Sequence, residues 1–216
     1  MFRLFDFDLE IILLRVPAII IALTVHEFSH GFMAYLLGDR TAKRDGRMSF
    51  NPLRHIDPIG MICLILIGFG WAKPVMVNPR NLKDPKHGMG LTAVAGPVSN
   101  FILAFIVMLV YYPLVMTVGL DRAAIGYLFT FLWILFSINI VLGIFNMLPI
   151  PPLDGSKVFA VFLPEDIYFK FISFRYGFIV LIILIFTDRL SSIIQPFMTA
   201  ISNGYIFVVE RIYFFI

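Results

Sequence analysis

The sequence is poor in charge, in histidine and in cysteine, and each shortage narrows what the protein can be. Charged residues make up only 14% of its 216 residues, against 60% hydrophobic and 16% aromatic. That leaves too little polar surface to coat a soluble domain of this length, so the chain reads as an integral membrane protein. A single cysteine, Cys63, excludes an intrachain disulfide framework, and within an apolar run it reads as a small buried hydrophobe. The net charge of +3 makes no nucleic-acid footprint; the basic residues fit orientation signals better. Acidic Asp6, Asp8 and Glu10 precede the first apolar run and no small-residue cleavage site follows it, so no secretory signal is expected and residue 1 is taken as mature. Repeats, low-complexity linkers and a separate soluble domain are also missing. The expectation is one membrane-embedded domain over 1–216, with a core at 9–160 and additional C-terminal helices at 165–215.

What is present is apolar length. Segments at about 9–38, 91–119, 124–148, 167–187 and 190–215 can each cross roughly 30 Å of hydrocarbon, which gives an all-α multi-pass protein with about five spanning helices. A sixth run, Ile59 to Trp71, has only 13 residues, a length that suits a re-entrant or buried segment. Charge supports re-entry. Arg40, Lys43, Arg44, Arg47 and Arg54 precede this run, and Lys73, Arg80, Lys83 and Lys86 follow it. If the run turns back, all nine face the cytoplasm, as the positive-inside tendency prefers. The amino terminus and the loop around Asp121 and Arg122 then lie outside, and residues 149–166 and the carboxyl terminus lie in the cytoplasm.

Against that background TVHEFSHGF, residues 24–32, stands out, because it places three ionisable groups inside a spanning helix. Such groups are costly in lipid and default to function. Positions i and i+4 share a helix face, so His26 and His30 can offer their imidazoles to one ion, with Glu27 beside them in reach of an activated water. Interhelical hydrogen bonding without a metal is the blander alternative. A catalytic zinc needs a third protein ligand and an open position. His55 and His87 sit among basic and turn-forming residues and read as surface groups. Asp154 lies in NMLPIPPLDGS, residues 146–156, just after a span that Pro149, Pro151 and Pro152 terminate. Irregular backbone near membrane depth is tolerated where it lines a cavity, and the topology puts Asp154 at a depth similar to that of the two histidines.

HEFSH and NMLPIPPLDG together resemble the two signatures of the site-2 protease family of intramembrane zinc metalloproteases. RMSFNPLRHIDPIG, GWAKPVMVNP and AGPVSNFILA also resemble segments of its compact bacterial members, so the likeness covers roughly residues 18–160. The resemblance implies one zinc per chain, with His26, His30 and Asp154 as ligands and Glu27 as general base. It implies that Asn146 holds the substrate or the developing oxyanion. It also implies peptide-bond hydrolysis within or near transmembrane segments of membrane-protein substrates, as in regulated intramembrane proteolysis, in a prokaryotic cell membrane with the active site towards the cytoplasm. Neither an inserted PDZ-like domain nor an appended nucleotide-sensing domain is expected. Met76 stands where family members would have proline, and nothing in the sequence explains the change.

A transmembrane substrate arrives as a helix and must be held unwound. Residues 70–79 are extended in character, and Pro74 and Pro79 suit an edge strand, so a small membrane-associated β element is expected there, able to accept the substrate as an added strand. Trp71, Lys73, Val75 and Val77 along it, together with Asn100, are candidate substrate contacts. Asn100 also falls on a face with Thr92, Gly96 and Ala104 whose small or polar side chains permit close helix packing. Two other functions compete. A metal ion transporter would need no Glu27 and predicts an inverted repeat, which is not visible. A catalytically silent relative that only binds membrane segments fits poorly with His26, Glu27, His30 and Asp154 all in place.

Overall fold

The computed structural model describes residues 9–67, 70–118, 123–174 and 176–214. Helix α1 (Leu9–Leu36) has 28 residues and is about 42 Å long, enough to cross the bilayer with a turn or more to spare. A short helix α2 (Thr41–Arg44) and a 3₁₀ turn (Pro52–Arg54) lead to α3 (Pro58–Ile67). A second 3₁₀ turn (Pro79–Asn81) precedes α4 (Pro85–Val118), which starts six residues before the expected span. The early start has a local cause: Asp84 caps it by accepting the His87 N–H at 3.0 Å, and Pro85 stands at the first helical position. Then follow α5 (Ala123–Asn146), α6 (Asp154–Ala160), α7 (Glu165–Ile172), α8 (Gly177–Phe186) and α9 (Arg189–Phe214).

Four of these helices, α1, α4, α5 and α9, are individually long and apolar enough to cross a membrane. The single span expected over 167–187 is instead two helices, α7 and α8, bent by 53°. Helix α7 carries Glu165, Asp166 and Lys170 and is amphipathic, so the hydropathy that suggested one span comes mainly from α8. The loop around Asp121 and Arg122 lies outside the described residues.

Helix α4 is the centre of the bundle, packed against α1, α5, α6 and α9. The core between them holds Ala18, Ala104, Met108, Phe136 and Ile140, while Leu13, Ile102, Ile106 and Val110 face outward. An apolar exterior around a core that also buries Asn100, Ser137 and Asn139 is the arrangement a bilayer favours. Thr92, Gly96, Asn100 and Ala104 all face inward on α4.

The segment from Asp57 to Trp71 returns to where it began. The Lys73 N–H donates to the His55 carbonyl at 2.8 Å, beside an antiparallel bridge between Ile56 and Ala72. Gly60 lies so close to Trp71 that a Cβ there would come within 2.1 Å of the Trp71 carbonyl. The expected β element, however, does not form, and no strand occurs among the described residues. Pro74 has no N–H to give. The Val75 N–H donates to Glu27 Oε2 at 2.9 Å and the Asn78 N–H to Asp39 Oδ2 at 2.7 Å. Backbone donors that a longer ladder would need are taken up by carboxylates, so beyond the single bridge at Ala72 the segment is extended but forms no strand.

Candidate metal centre

His26 and His30 lie one turn apart on α1, both buried, and their rings meet edge to face. Room for them comes from α4. A Cβ on Gly96 would lie 2.6 Å from His26 Cε1, His30 Cε1 and His30 Nε2, so only glycine lets α4 approach here. His30 Nδ1 is 2.7 Å from the Thr92 carbonyl, and His26 Nδ1 is 2.6 Å from Asn100 Oδ1. With each Nδ1 held by α4, the two Nε2 atoms meet at a common point beside Gly96.

Asp154 reaches that point from the first turn of α6. Leu153 stands at the N-cap, with the Ser156 hydroxyl donating to its carbonyl at 2.6 Å. Gly155 lets α6 fold back on the end of α5, since a Cβ there would lie 2.2 Å from the Met147 carbonyl oxygen. This close approach is the physical content of the Asp-Gly pair in the second motif. Asp154 Oδ2 lies 3.2 Å from His26 Nε2 and 3.0 Å from His30 Nε2, and the two Nε2 atoms are 3.0 Å apart. Lys157, one turn on, holds the other oxygen, Oδ1, at 3.2 Å.

These atoms fit a metal. A tetrahedral zinc with bonds of about 2.0–2.1 Å separates its ligand atoms by about 3.3 Å, close to the three observed separations. Two imidazole nitrogens and one carboxylate oxygen are a donor set zinc accepts. His26, His30 and Asp154 form the group among the described residues whose ligand atoms lie within 4.8 Å of one another.

Glu27 is buried beside this group, its Oε2 accepting the Val75 N–H. Of the other residues singled out from the sequence, Trp71 is 48% exposed and Lys73 is exposed, while Val75 and Val77 are half-buried. Asn146 is half-buried at the end of α5, and its amide donates to the Leu142 carbonyl at 3.1 Å in its own helix. Asn100 is fully buried, with its amide engaged by His26, Ala22 and Asn139. His87 is exposed and pairs with Asp84 at 2.7 Å. His55 is a correction: it is buried, donating Nε2–H to the Ser49 carbonyl at 2.7 Å, because it roots the returning segment. Sequence reasoning did not single out Asn139, Lys157 or the Thr92 carbonyl. An asparagine inside the apolar run of α5 was the available signal for the first of these.

The chain matches the profile of peptidase family M50 over residues 112–186, which include the second motif. It is 39% identical over 208 residues to a protein of Bacillus subtilis (strain 168) provisionally named zinc metalloprotease YwhC, covering 92% of this chain and 91% of that one. The chain belongs to peptidase family M50. This is the site-2 protease family that the two motifs resemble. A second relative, provisionally named zinc metalloprotease Rip2, from Mycolicibacterium smegmatis, is 27% identical over 191 residues, covering 84% of this chain and 70% of that one. A third, MJ0611 of Methanocaldococcus jannaschii, named in the same way, is 36% identical over 105 residues, covering 46% of this chain and 48% of its own. No solved structure is significantly similar to the chain.

Proposed function

We propose that this M50 chain is a site-2-type zinc metalloprotease that hydrolyses peptide bonds within or next to transmembrane segments of other membrane proteins, in regulated intramembrane proteolysis. The observation that carries the reading is the meeting of His26 Nε2, His30 Nε2 and Asp154 Oδ2 at 3.0–3.2 Å, with the Glu27 carboxylate beside them, inside a bundle whose outer face is apolar. The zinc named in the relatives' own names suits this donor set. Zinc held there supplies a Lewis acid for the scissile carbonyl and acidifies the attacking water.

The chain's own residues supply the proton path. Glu27 takes a proton from the water onto its carboxylate and returns it to the amine nitrogen of the departing strand. The Val75 N–H keeps one carboxylate oxygen oriented while the other is available for this exchange. Asn146 is the candidate to hold the substrate carbonyl, by turning its amide away from Leu142. The nine basic residues on either side of residues 59–71 support a cytoplasmic position for the centre, and we read the membrane as that of a prokaryotic cell.

The test uses fluorescent transmembrane peptides reconstituted with the protein in liposomes. Wild type should cut them, and Glu27→Gln should keep its zinc while losing on the order of 10²–10⁴-fold in rate. An active Glu27→Gln enzyme would remove Glu27 as the base. Zinc-loaded wild type that binds but cuts no transmembrane peptide would favour the silent relative instead.

A further inference from the structure

Asn139 lies in the middle of α5, and both it and Asn100 are fully buried. Amides at such depth are costly unless each group finds a partner. Here the partners form a directed chain. The Leu135 carbonyl can only accept, so Asn139 Nδ2 donates to it at 2.8 Å and Asn139 presents Oδ1 to α4. Asn100 Nδ2 donates to that oxygen at 2.8 Å and to the Ala22 carbonyl at 3.1 Å. With both N–H bonds engaged, Asn100 has only Oδ1 for His26, 2.6 Å from Nδ1. An amide oxygen accepts, so a neutral His26 must carry its proton on Nδ1 and a lone pair on Nε2. His30 reaches the same state by donating Nδ1–H to the Thr92 carbonyl. The two bare Nε2 atoms then face each other and the Asp154 carboxylate, and such acceptors repel until a cation joins them.

We infer that Asn100 and Asn139 are positioning residues, an amide relay from the α5 backbone through α4 to α1 that fixes the tautomer of His26 and so readies the site for its ion. The relay deepens the zinc reading above and rests on it. Neither amide needs to touch the metal or the substrate, which matches their complete burial.

The test measures zinc affinity of the detergent-purified full chain by competition with a chromophoric chelator. Asn100→Leu should weaken zinc roughly 10–100-fold. Asn139→Leu should act in the same direction but less, because the Ala22 carbonyl still anchors Asn100. Asn139→Asp should stay near wild type: a carboxyl buried there is protonated, its carbonyl accepts from Asn100 and its hydroxyl donates to Leu135. Melting of the zinc-free proteins separates packing from positioning, since a lowered Tm with wild-type zinc affinity in both leucine variants would overturn the relay. Should those variants not fold, ¹⁵N-histidine spectra of zinc-free wild type decide the matter. His26 protonated on Nδ1 is expected, and His26 protonated on Nε2 would overturn the relay. Wild type that takes no zinc would refute the zinc reading, while the same spectra still test the relay.

Discussion

Adding one methyl group at Gly96 probes how tightly the histidine pair is held. The new Cβ would lie 2.6 Å from carbons of both imidazoles and from His30 Nε2, whereas unstrained carbon contacts need about 3.5–4.0 Å. The rings or α4 must therefore give by about 1 Å. Neither ring turns easily, since His30 is tied to the Thr92 carbonyl and His26 to Asn100, both on α4 itself. Over-packing of this kind costs about 1–3 kcal/mol, and a supporting-shell disturbance weakens metal binding by roughly 10–100-fold. The assay pairs zinc affinity with thermal melting in detergent for Gly96→Ala and for Gly143→Ala. A Cβ on Gly143 would come within 2.7 Å of the Phe101 ring and touches no proposed ligand. Both variants should melt lower, and only Gly96→Ala should lose zinc affinity. Wild-type zinc affinity in Gly96→Ala would refute the claim that α4 sets the position of the rings.

Two further predictions concern the scaffold. In Gly155→Ala the added Cβ would meet backbone, 2.2 Å from the Met147 carbonyl oxygen, so α6 must move and carry Asp154 with it; elemental analysis should find the zinc largely lost, and full zinc occupancy would contradict the packing argument. Asp39 ties the chain after α1 to the extended segment. Burial raises its carboxyl, but hydrogen bonds from the Asn81 amide, the Thr41 hydroxyl and the Asn78 and Thr41 N–H groups hold it below the ordinary 3.8. A depressed folded value means that this stabilisation is complete above the unfolded value and is lost as pH falls through the lower folded one. Asp39→Asn should cost about 2 kcal/mol at neutral pH and flatten the fall of Tm below pH 4; an unchanged acid limb would remove Asp39 as its source.

How much of this was legible depended on whether sequence neighbours settle the matter. His26 and His30 are one helical turn apart whatever surrounds them, so their spacing alone brings them together. Asp154 is 124 residues from His30, and spacing says nothing about that distance; only the resemblance to a known motif pair and the topology pointed to it. The extended character of residues 70–79 follows from Pro74 and Pro79. Whether it pairs as a strand depended on Glu27 and Asp39, far away in sequence, capturing its N–H groups. His55 looked like a surface residue because its neighbours are basic and turn-forming, yet the return of the segment at Lys73 buries it. Hydropathy over 167–187 has no term for direction and so missed the bend between α7 and α8. Asn139 could be noticed as polar in an apolar helix, but its partner across the bundle is a property of the fold.

The central claim is that His26, His30 and Asp154 hold one zinc ion. Zinc per chain, measured by elemental analysis of detergent-purified wild type and Asp154→Ala, tests it without any known substrate. About one zinc in wild type, lost or greatly weakened in the variant, is the predicted result. Equal zinc in both would remove Asp154 from the site, and no zinc in either would contradict the metal centre.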